Sequence, residues 1–342
     1  MSTVNVGILG LGQIGASVAL ALKRYSQRKD ARHTFVVTTA DLRGAVREEA
    51  VKLGLSKPER DLFAAARGQD VVVLALPYAD VPTAYEQLGR EMRPGTVLLD
   101  ASPLKRPSLE WARQHLSPEA HQVGIMPVLN PAYLFDGLDD TLHAKADLFD
   151  QGTMLLMPAP DCAKEAVELA ADFSTLLGAA PHFFDPVEHD SLAAQHEGLP
   201  ALLGVALFYA SSRGSGWSDG QRLTNASFGR ITHHLHDTHP DDLRDALLNN
   251  REALLRQLDA FMGTLKSFRD VIERSDREAL EAALIESADA YSAWINRRAT
   301  GQWIDDDGGA EKAPTLGNMV MSGFMGSFIS RRFQGGKKGD EE

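Results

Sequence analysis

The chain has 342 residues, 44% of them hydrophobic, which is enough for two domains with buried cores. Its 35 basic and 47 acidic residues leave a net charge of −12, which argues against a nucleic-acid binder with its basic face. The single cysteine, Cys162, excludes an internal disulfide and a thiolate zinc cluster and fits a reducing compartment. MSTVNVGILG lacks a basic stretch followed by a cleavable apolar run, and no apolar run reaches about 18 residues, so neither a signal peptide nor a membrane span is predicted. A cytoplasmic protein is expected.

The first part of the chain alternates short apolar runs with helical stretches. The runs are VNVGILG (4–10), TFVVTTA (34–40), DVVVLALP (70–77), GTVLLDA (95–101), HQVGIM (121–126) and TMLLMPA (153–159). They are rich in Val, Leu and Ile and alternate little, the pattern of strands covered on both faces. IGASVALALKRY and LRGAVREEAVKLG lie between them with helical spacing. This repetition predicts an α/β domain over residues 1–160, built on a doubly wound parallel sheet.

The first run ends in GLGQIG, that is Gly10, Leu11, Gly12, Gln13, Ile14 and Gly15, and a helix follows at once. A strand before and a helix after are the context in which this spacing marks a Rossmann dinucleotide site. Gly10 permits the tight turn, Gly12 lets backbone approach a diphosphate, and Gly15 lets the helix lie close to the strand. The helix N-terminus then offers unpaired N–H groups and a positive dipole end. Asp41, after the second run, is placed to accept from a ribose 2′-hydroxyl, which favours NAD; Arg43 two residues on leaves NADP possible. Asp41 is also suited to capping the helix that begins near Leu42.

From 161 to 312 the chain reads as an all-helical domain. CAKEAVELAADFSTLLG is a helix closed by Gly178, and PHFFDP is a short extended piece. HDSLAAQHEGLP opens the next helix, with His189 and His196 seven residues apart and therefore expected on one face. Leu254, Leu258, Phe261, Leu265, Phe268 and Ile272, then Leu280, Leu284, Tyr291 and Ile295, form seams of long packed helices. Such seams suit a bundle core and a homodimer interface. RGSGWSDGQ (213–221) is a loop. The histidines of HHLHDTH, at 233, 234, 236 and 239, select no metal geometry, and no metal site is assigned. DDDGGAEKAP (305–314) is an exposed turn. Residues 313–342 form a C-terminal segment in which GNMVMSGFMGSFISRRF (317–333) suits either an amphipathic docking helix or a helix on its own domain, and GGKKGDEE (335–342) a disordered tail.

Several blocks together resemble the prephenate/arogenate dehydrogenase family: GILGLGQIGASVALALK, Asp41 followed by EEAVKLG, DVVVLALP, LLDASPLK, GIMPVLNP, LGAAPHFFDPVEHDSLAA, ASFGRIT and LLNNREALLRQLDAF, in order over roughly residues 4–300. The resemblance implies a Rossmann domain followed by a helical dimerisation domain, with a small carboxylate substrate in the cleft. It implies a reaction in which NAD(P) takes a hydride from the ring carbon bearing the prephenate 4-hydroxyl, after which carbon dioxide leaves and the ring becomes aromatic. Leu76 and Pro77 would border the cofactor with residues 10–15 and Asp41. Ser102 and Lys105 would line the nicotinamide side, and Arg230 would bind a substrate carboxylate.

The same frame shows where this chain departs from the family it resembles. The family's Gly-x-His-Pro block reads Gly124-Ile125-Met126-Pro127, and Met126 cannot accept a proton. The family's Ser-His-x-Pro block falls on Glu197-Gly198-Leu199-Pro200, so Gly198 stands for its histidine. In DASPLK, Ser102 comes one residue early and Pro103 takes the serine's place. His196, His189 and Glu197 are candidate stand-ins for the lost base; each also fits an ordinary packed or solvated role. The expected function is an NAD(P)-dependent dehydrogenase resembling prephenate dehydrogenase without its aligned histidines. The alternative is a dinucleotide-binding homologue with another substrate or a regulatory role.

Overall fold

The computed structural model describes residues 2–135 and 140–303, so the expectations for 305–314, 317–333 and 335–342 lie outside the described residues. Seven strands form one sheet: β1 (Ser2–Leu9), β2 (His33–Ala40), β3 (Val71–Leu74), β4 (Val97–Asp100), β5 (His121–Val128), β6 (Thr153–Pro158) and β7 (Ala180–Phe183). Their order is β2-β1-β3-β4-β5-β6-β7. All neighbours run parallel except β5 and β6, which are antiparallel with Ile125 opposite Leu156.

The apolar runs are strands because both faces are covered. Val71, Val73, Val97, Leu99, Val6 and Ile8 join one core, beneath α1 (Gln13–Ser26), α2 (Gly44–Lys52) and a later helix, α6 (Lys164–Leu177). Val72, Leu74, Leu98 and Leu9 face the other core, under α3 (Leu62–Ala66), α4 (Val81–Glu91) and α5 (Lys105–His115). Alternate residues therefore enter opposite cores, and neither face can be polar.

The sheet does not end with the sixth run. α6 closes at Gly178, with φ +102° in the left-handed region, and the chain returns as β7 beside β6. The boundary expected near residue 160 thus gives way to a sheet that extends to Phe183. A weakly patterned edge strand of four exposed residues carries too little apolar periodicity to be read as part of a sheet.

Beyond β7 the described chain is helical. α7 (Pro186–Ala193) begins on Asp185, whose Oδ1 accepts from Val187 N at 2.8 Å and Glu188 N at 2.9 Å, with Pro186 in the first turn where no N–H is needed. A π-helical turn, Ala194–Gly198, leads into α8 (Leu199–Ser212). Short helices α9 (Trp217–Gly220), α10 (Ala226–Thr232) and α11 (His234–Asp237) precede α12 (Pro240–Asn249), α13 (Arg251–Glu273) and α14 (Arg277–Thr300). Among the described residues, those up to Leu258 cluster as one compact unit and those from Asp259 on as a second. Of the predicted seam, Leu254 is buried, whereas Leu265 and Ile272 are more than half exposed, as are Leu284 and Tyr291 on α14. Among the described residues no helix is long and apolar enough to cross a membrane.

One carboxylate joins the helical part of the first unit to the sheet. Asp190 on α7 is 5% exposed and accepts from Lys105 N at 2.8 Å and Arg106 N at 2.9 Å, so it caps the start of α5, where Leu104 supplies no side-chain cap. His189 Nδ1 lies 3.0 Å from Asp190 Oδ1, and Asn250 Nδ2 donates to the Asp190 carbonyl at 2.7 Å. Nearby, Ala79 N donates to Asp242 and Asn249 to the Tyr78 hydroxyl. Asp190→Ala would strand two backbone donors, each costing roughly 1–3 kcal/mol when left unmet. The variant is expected to lose about 2–4 kcal/mol of stability. Urea unfolding checks this; a midpoint equal to that of the native protein would refute the cap.

Candidate active site

The glycine turn is built by close backbone contacts. Gly10 follows β1 with φ +92°, and a Cβ there would lie 2.2 Å from the Ala75 carbonyl oxygen and 2.9 Å from Leu76 N. Leu76, predicted from sequence with Pro77 as a cofactor neighbour, therefore stands beside the turn. A Cβ on Gly15 would come within 2.0 Å of the Gly10 oxygen, so the helix can start here only without a side chain. Gly12 is the N-cap of α1 and provides no side-chain acceptor, and the first turn contains no acidic residue. Its N–H groups and positive dipole end are thus open to an anion such as a dinucleotide diphosphate, and the residues present fit that group. Leu11 is fully buried and Gln13 nearly so; both meet the site through backbone, while Ile14 is half-buried.

Sequence reasoning missed the segment that flanks this turn. Thr141, 1% exposed, donates from Oγ1 to the Leu11 carbonyl at 2.6 Å, and Lys145 N donates to Ser17 Oγ at 3.0 Å. Gln13 Nε2 reaches the His143 carbonyl at 3.5 Å. The connection from β5 to β6 thereby steadies the outer side of the turn. Isolated Thr and Ser residues carry no periodic signal, so nothing local to 141–145 predicts this contact.

Asp41 lies directly after β2, as expected, with its side chain 3% exposed. Its Oδ2 accepts from Leu11 N at 2.9 Å and Arg43 Nη2 at 3.1 Å; its Oδ1 accepts from Arg43 N at 2.8 Å and Arg43 Nε at 3.1 Å. It does not cap α2, whose N-cap is Arg43 with no side-chain cap. The carboxylate instead bolts the end of β2 to the glycine turn.

A second cluster forms where β4 and β5 end. Asp100 is fully buried and accepts from the Tyr85 hydroxyl at 2.7 Å, from Ser102 N at 2.7 Å and from Ser102 Oγ. Burial holds the Tyr85 phenol well above its usual range. Ser102 thus commits its hydroxyl proton to Asp100. Lys105, 1% exposed, donates from Nζ to the carbonyls of Asp100 at 3.2 Å, Ile125 at 2.8 Å and Ser102. Three carbonyls satisfy its three donors. Gly124 makes room for its stem: a Cβ there would sit 2.9 Å from Lys105 Cδ. Met126 pairs with Leu155 on β6 and brings no proton-accepting group.

The remaining candidates sit on the helical part. Pro200 lacks an N–H, and its ring crowds the carbonyl four residues back, at His196. The helix widens there, with Leu199 N–H bonded to the Ala194 oxygen. His189 and His196 consequently do not share a face: His189 is 4% exposed and held at Asp190, whereas His196 is exposed. Glu197 has solvent-exposed surface too, but the packing around its carboxyl desolvates it and pushes its pKa up. A side chain at Gly198 would point toward Leu254 Cδ1 at 3.5 Å and Leu247 Cδ2 at 3.9 Å. Arg230 lies exposed on α10, its carbonyl facing His233 Nδ1. Among the described residues, neither His196 nor Arg230 is hydrogen-bonded to the glycine turn or to the β4–β5 cluster.

Burial pulls the Lys105 amine down to about 8, and the charges of Asp100 and Asp190 oppose this without cancelling it. Its ordinary value is 10.5, so between about pH 8 and 10.5 the unfolded chain binds the extra proton. The Lys105 contribution to stability therefore becomes more favourable as pH rises through that window. Urea unfolding of the native protein and Lys105→Met across this range is expected to show the difference moving in favour of the native protein; a flat difference would show that the amine does not titrate there.

Known proteins share this architecture. Residues 18–181 match the family model described as prephenate dehydrogenase, nucleotide-binding domain, and residues 185–286 match prephenate dehydrogenase, dimerization domain. The first match begins just after the glycine turn. The chain is 24% identical over 278 residues to the prephenate dehydrogenase of Bacillus subtilis, covering 80% of this chain and 71% of that protein. It is also 24% identical over 296 residues to the cyclohexadienyl dehydrogenase of Zymomonas mobilis, covering 84% and 95%. Among solved structures it resembles prephenate dehydrogenase from A. aeolicus in complex with hydroxyphenyl propionate and NAD+, with a TM-score of 0.71 at 20% identity over 86% of this chain and 99% of that one. It likewise resembles Synechocystis arogenate dehydrogenase, with a TM-score of 0.62 at 21% identity over 85% and 99%. The structural likenesses show a common fold, and the two family matches in succession show more: the chain belongs to the prephenate dehydrogenase family.

Proposed function

We propose that the chain is an NAD(P)-dependent dehydrogenase acting on a cyclohexadienyl carboxylate of the prephenate or arogenate class. The observation that carries this reading is the glycine turn, whose backbone contacts exclude side chains at Gly10 and Gly15 and leave the N-terminus of α1 without an acid or a cap. The NAD+ in the A. aeolicus relative and the family's nucleotide-binding domain support the same cofactor. When bound, the nicotinamide supplies the hydride acceptor.

This chain's own residues take the other tasks. The backbone of residues 10–15 holds the diphosphate, with Leu76 and Pro77 alongside. Arg230, a fixed guanidinium fork, binds a substrate carboxylate. Ser102, fixed by Asp100, borders the reacting ring and accepts a hydrogen bond through its hydroxyl oxygen. With Met126 unable to take a proton, His196 on the π turn is the base that relieves the substrate hydroxyl of its proton; π turns inside helices recur at functional sites. Dimerisation runs through the helical part, supported by the matched dimerization domain and by the exposed apolar side chains of α13 and α14.

A second reading, dinucleotide binding without turnover, is favoured by one specific pair of observations: Met126 carries no base, and position 198 points into Leu254 and Leu247. Absorbance at the reduced-nicotinamide band, with prephenate or arogenate and NAD+ or NADP+, separates the two. Turnover with either substrate is expected, and cofactor binding with no turnover on both would replace the enzyme reading by the second.

Gly12→Val is expected to weaken cofactor binding by about tenfold or more, a loss of at least 1.4 kcal/mol. Arg230→Ala should raise KM roughly 10–100-fold, the worth of a charge-assisted contact. His196→Ala should lower kcat by roughly 10²-fold or more with little change in KM. Unchanged kcat in that variant would remove His196 from the mechanism.

A further inference from the structure

Gln122, the second residue of β5, is buried at 2% exposure and satisfied on one side only. Its Nε2 donates to the Tyr85 hydroxyl at 3.3 Å, and that hydroxyl donates to Asp100 at 2.7 Å. The phenol proton is committed to Asp100, so the phenol oxygen can only accept, and the amide must present its NH2 to it. Gln122 Oε1 is left on the other side, shielded from solvent and without a partner among the described residues. A buried amide oxygen left unmet is costly, so such an atom needs a physical reason.

Its surroundings supply one. Gln122 lines a cavity of about 1200 Å³ that runs along α5 toward α7 and the start of α13. The strands from β1 through β3 and β4 to β5 run parallel, so the start of β5 lies at the opposite end of the sheet from the glycine turn. The rim carries Arg106 from α5 and Arg251 and Arg256 from α13, all three exposed. Among the described residues no ion pair or hydrogen bond occupies these three guanidinium groups, whereas Arg113 on the same wall is held by Glu110 at 2.7 Å. Two further acids of the cavity are also committed, Asp185 to the first turn of α7 and Asp190 to that of α5. Asp161, Glu188 and Glu252 remain as exposed counter-charges.

Uncommitted guanidinium forks suit carboxylates. A carboxylate has no proton to give, so it cannot satisfy Gln122 Oε1. An occupant that meets both demands carries a carboxylate and, apart from it, an O–H or N–H donor. We propose that this cavity binds a small organic acid bearing a hydroxyl or amino group, with its carboxylate on the arginines of the rim and its donor on Gln122 Oε1. The site is separate from the glycine turn and does not rest on the dinucleotide reading. A donor at Oε1 polarises the amide, strengthens its bond to Tyr85, and so reaches Asp100 and the Ser102 N–H that Asp100 holds at 2.7 Å.

The test is calorimetry on the full chain with three probes of one skeleton: L-malate, which carries a hydroxyl, L-aspartate, which carries an amino group, and succinate, which carries neither. Malate or aspartate is expected to bind about tenfold or more tightly than succinate, and the tighter of the two tells a hydroxy acid from an amino acid. Gln122→Met keeps the length of the side chain but removes the acceptor, and should bring that ratio to about one. Arg251→Ala with Arg256→Ala should weaken all three probes roughly 10–100-fold and preserve the ratio. Circular dichroism checks folding; the arginine changes touch only exposed side chains and carry the test if Gln122→Met does not fold. Arg230→Ala should leave malate and aspartate binding unchanged, and so should saturating NAD+. The assignment would be overturned by no binding of any probe at roughly 10 mM, by succinate binding as tightly as the other two, or by unchanged affinity in the double arginine variant. Loss of probe binding in Arg230→Ala, or competition by NAD+, would place the probe in the candidate active site and overturn it as well. Failure to bind NAD+ would bear on the dinucleotide reading alone.

Discussion

Backbone meets backbone where β1 turns into α1, and the rest of the molecule is arranged around that contact. The turn touches the end of β3 at Ala75, and the start of α1 touches the turn itself, with no space for a Cβ at Gly10 or Gly15. Because the chain is this close, the N–H groups of the first turn of α1 emerge at the strand ends without side chains in front of them. Two further contacts hold the turn in place: Asp41 accepts the Leu11 N–H from the β2 side, and Thr141 donates to the Leu11 carbonyl from the β5–β6 connection. A buried residue with its backbone fixed from both sides makes a stiff platform for a charged ligand.

Buried charges recur along the same edge of the sheet, and each is satisfied. Asp100 gathers Tyr85 and Ser102, Lys105 gathers three carbonyls, and Asp190 gathers the first two N–H groups of α5. Burying any of them unpaired would cost several kcal/mol. The network fixes α5 and α7 to the strand ends.

Family membership and the proposed chemistry rest on different observations. The two matched domains and the strand order establish the first. On the frame that the resemblance implies, Met126 and Gly198 stand where two histidines would be expected, and the base proposed here is sought elsewhere. Around the π turn at 194–198, His196 is exposed, Glu197 is exposed at its surface edge while the packing around its carboxyl pushes its pKa up, and His189 is held at Asp190.

Much of this was legible in the sequence, for physical reasons. Strands covered on both faces must be apolar throughout, so six of the seven announced themselves; left-handed φ needs glycine, so Gly10 and Gly178 marked a turn and a helix end. The position of Asp41 followed from the fold. What the sequence could not determine were relations between distant segments. β7 was too short and exposed to register as part of the sheet. Asp190 caps a helix 85 residues earlier, Thr141 grips a turn 130 residues earlier, and no local pattern encodes either partner. Helical spacing put His189 and His196 on one face because it assumes an α-helix throughout, and the widened turn before Pro200 breaks that assumption. The same holds for Asp41: its identity was plain from the sequence, but only the tertiary structure filled its acceptor positions and turned Arg43 toward solvent.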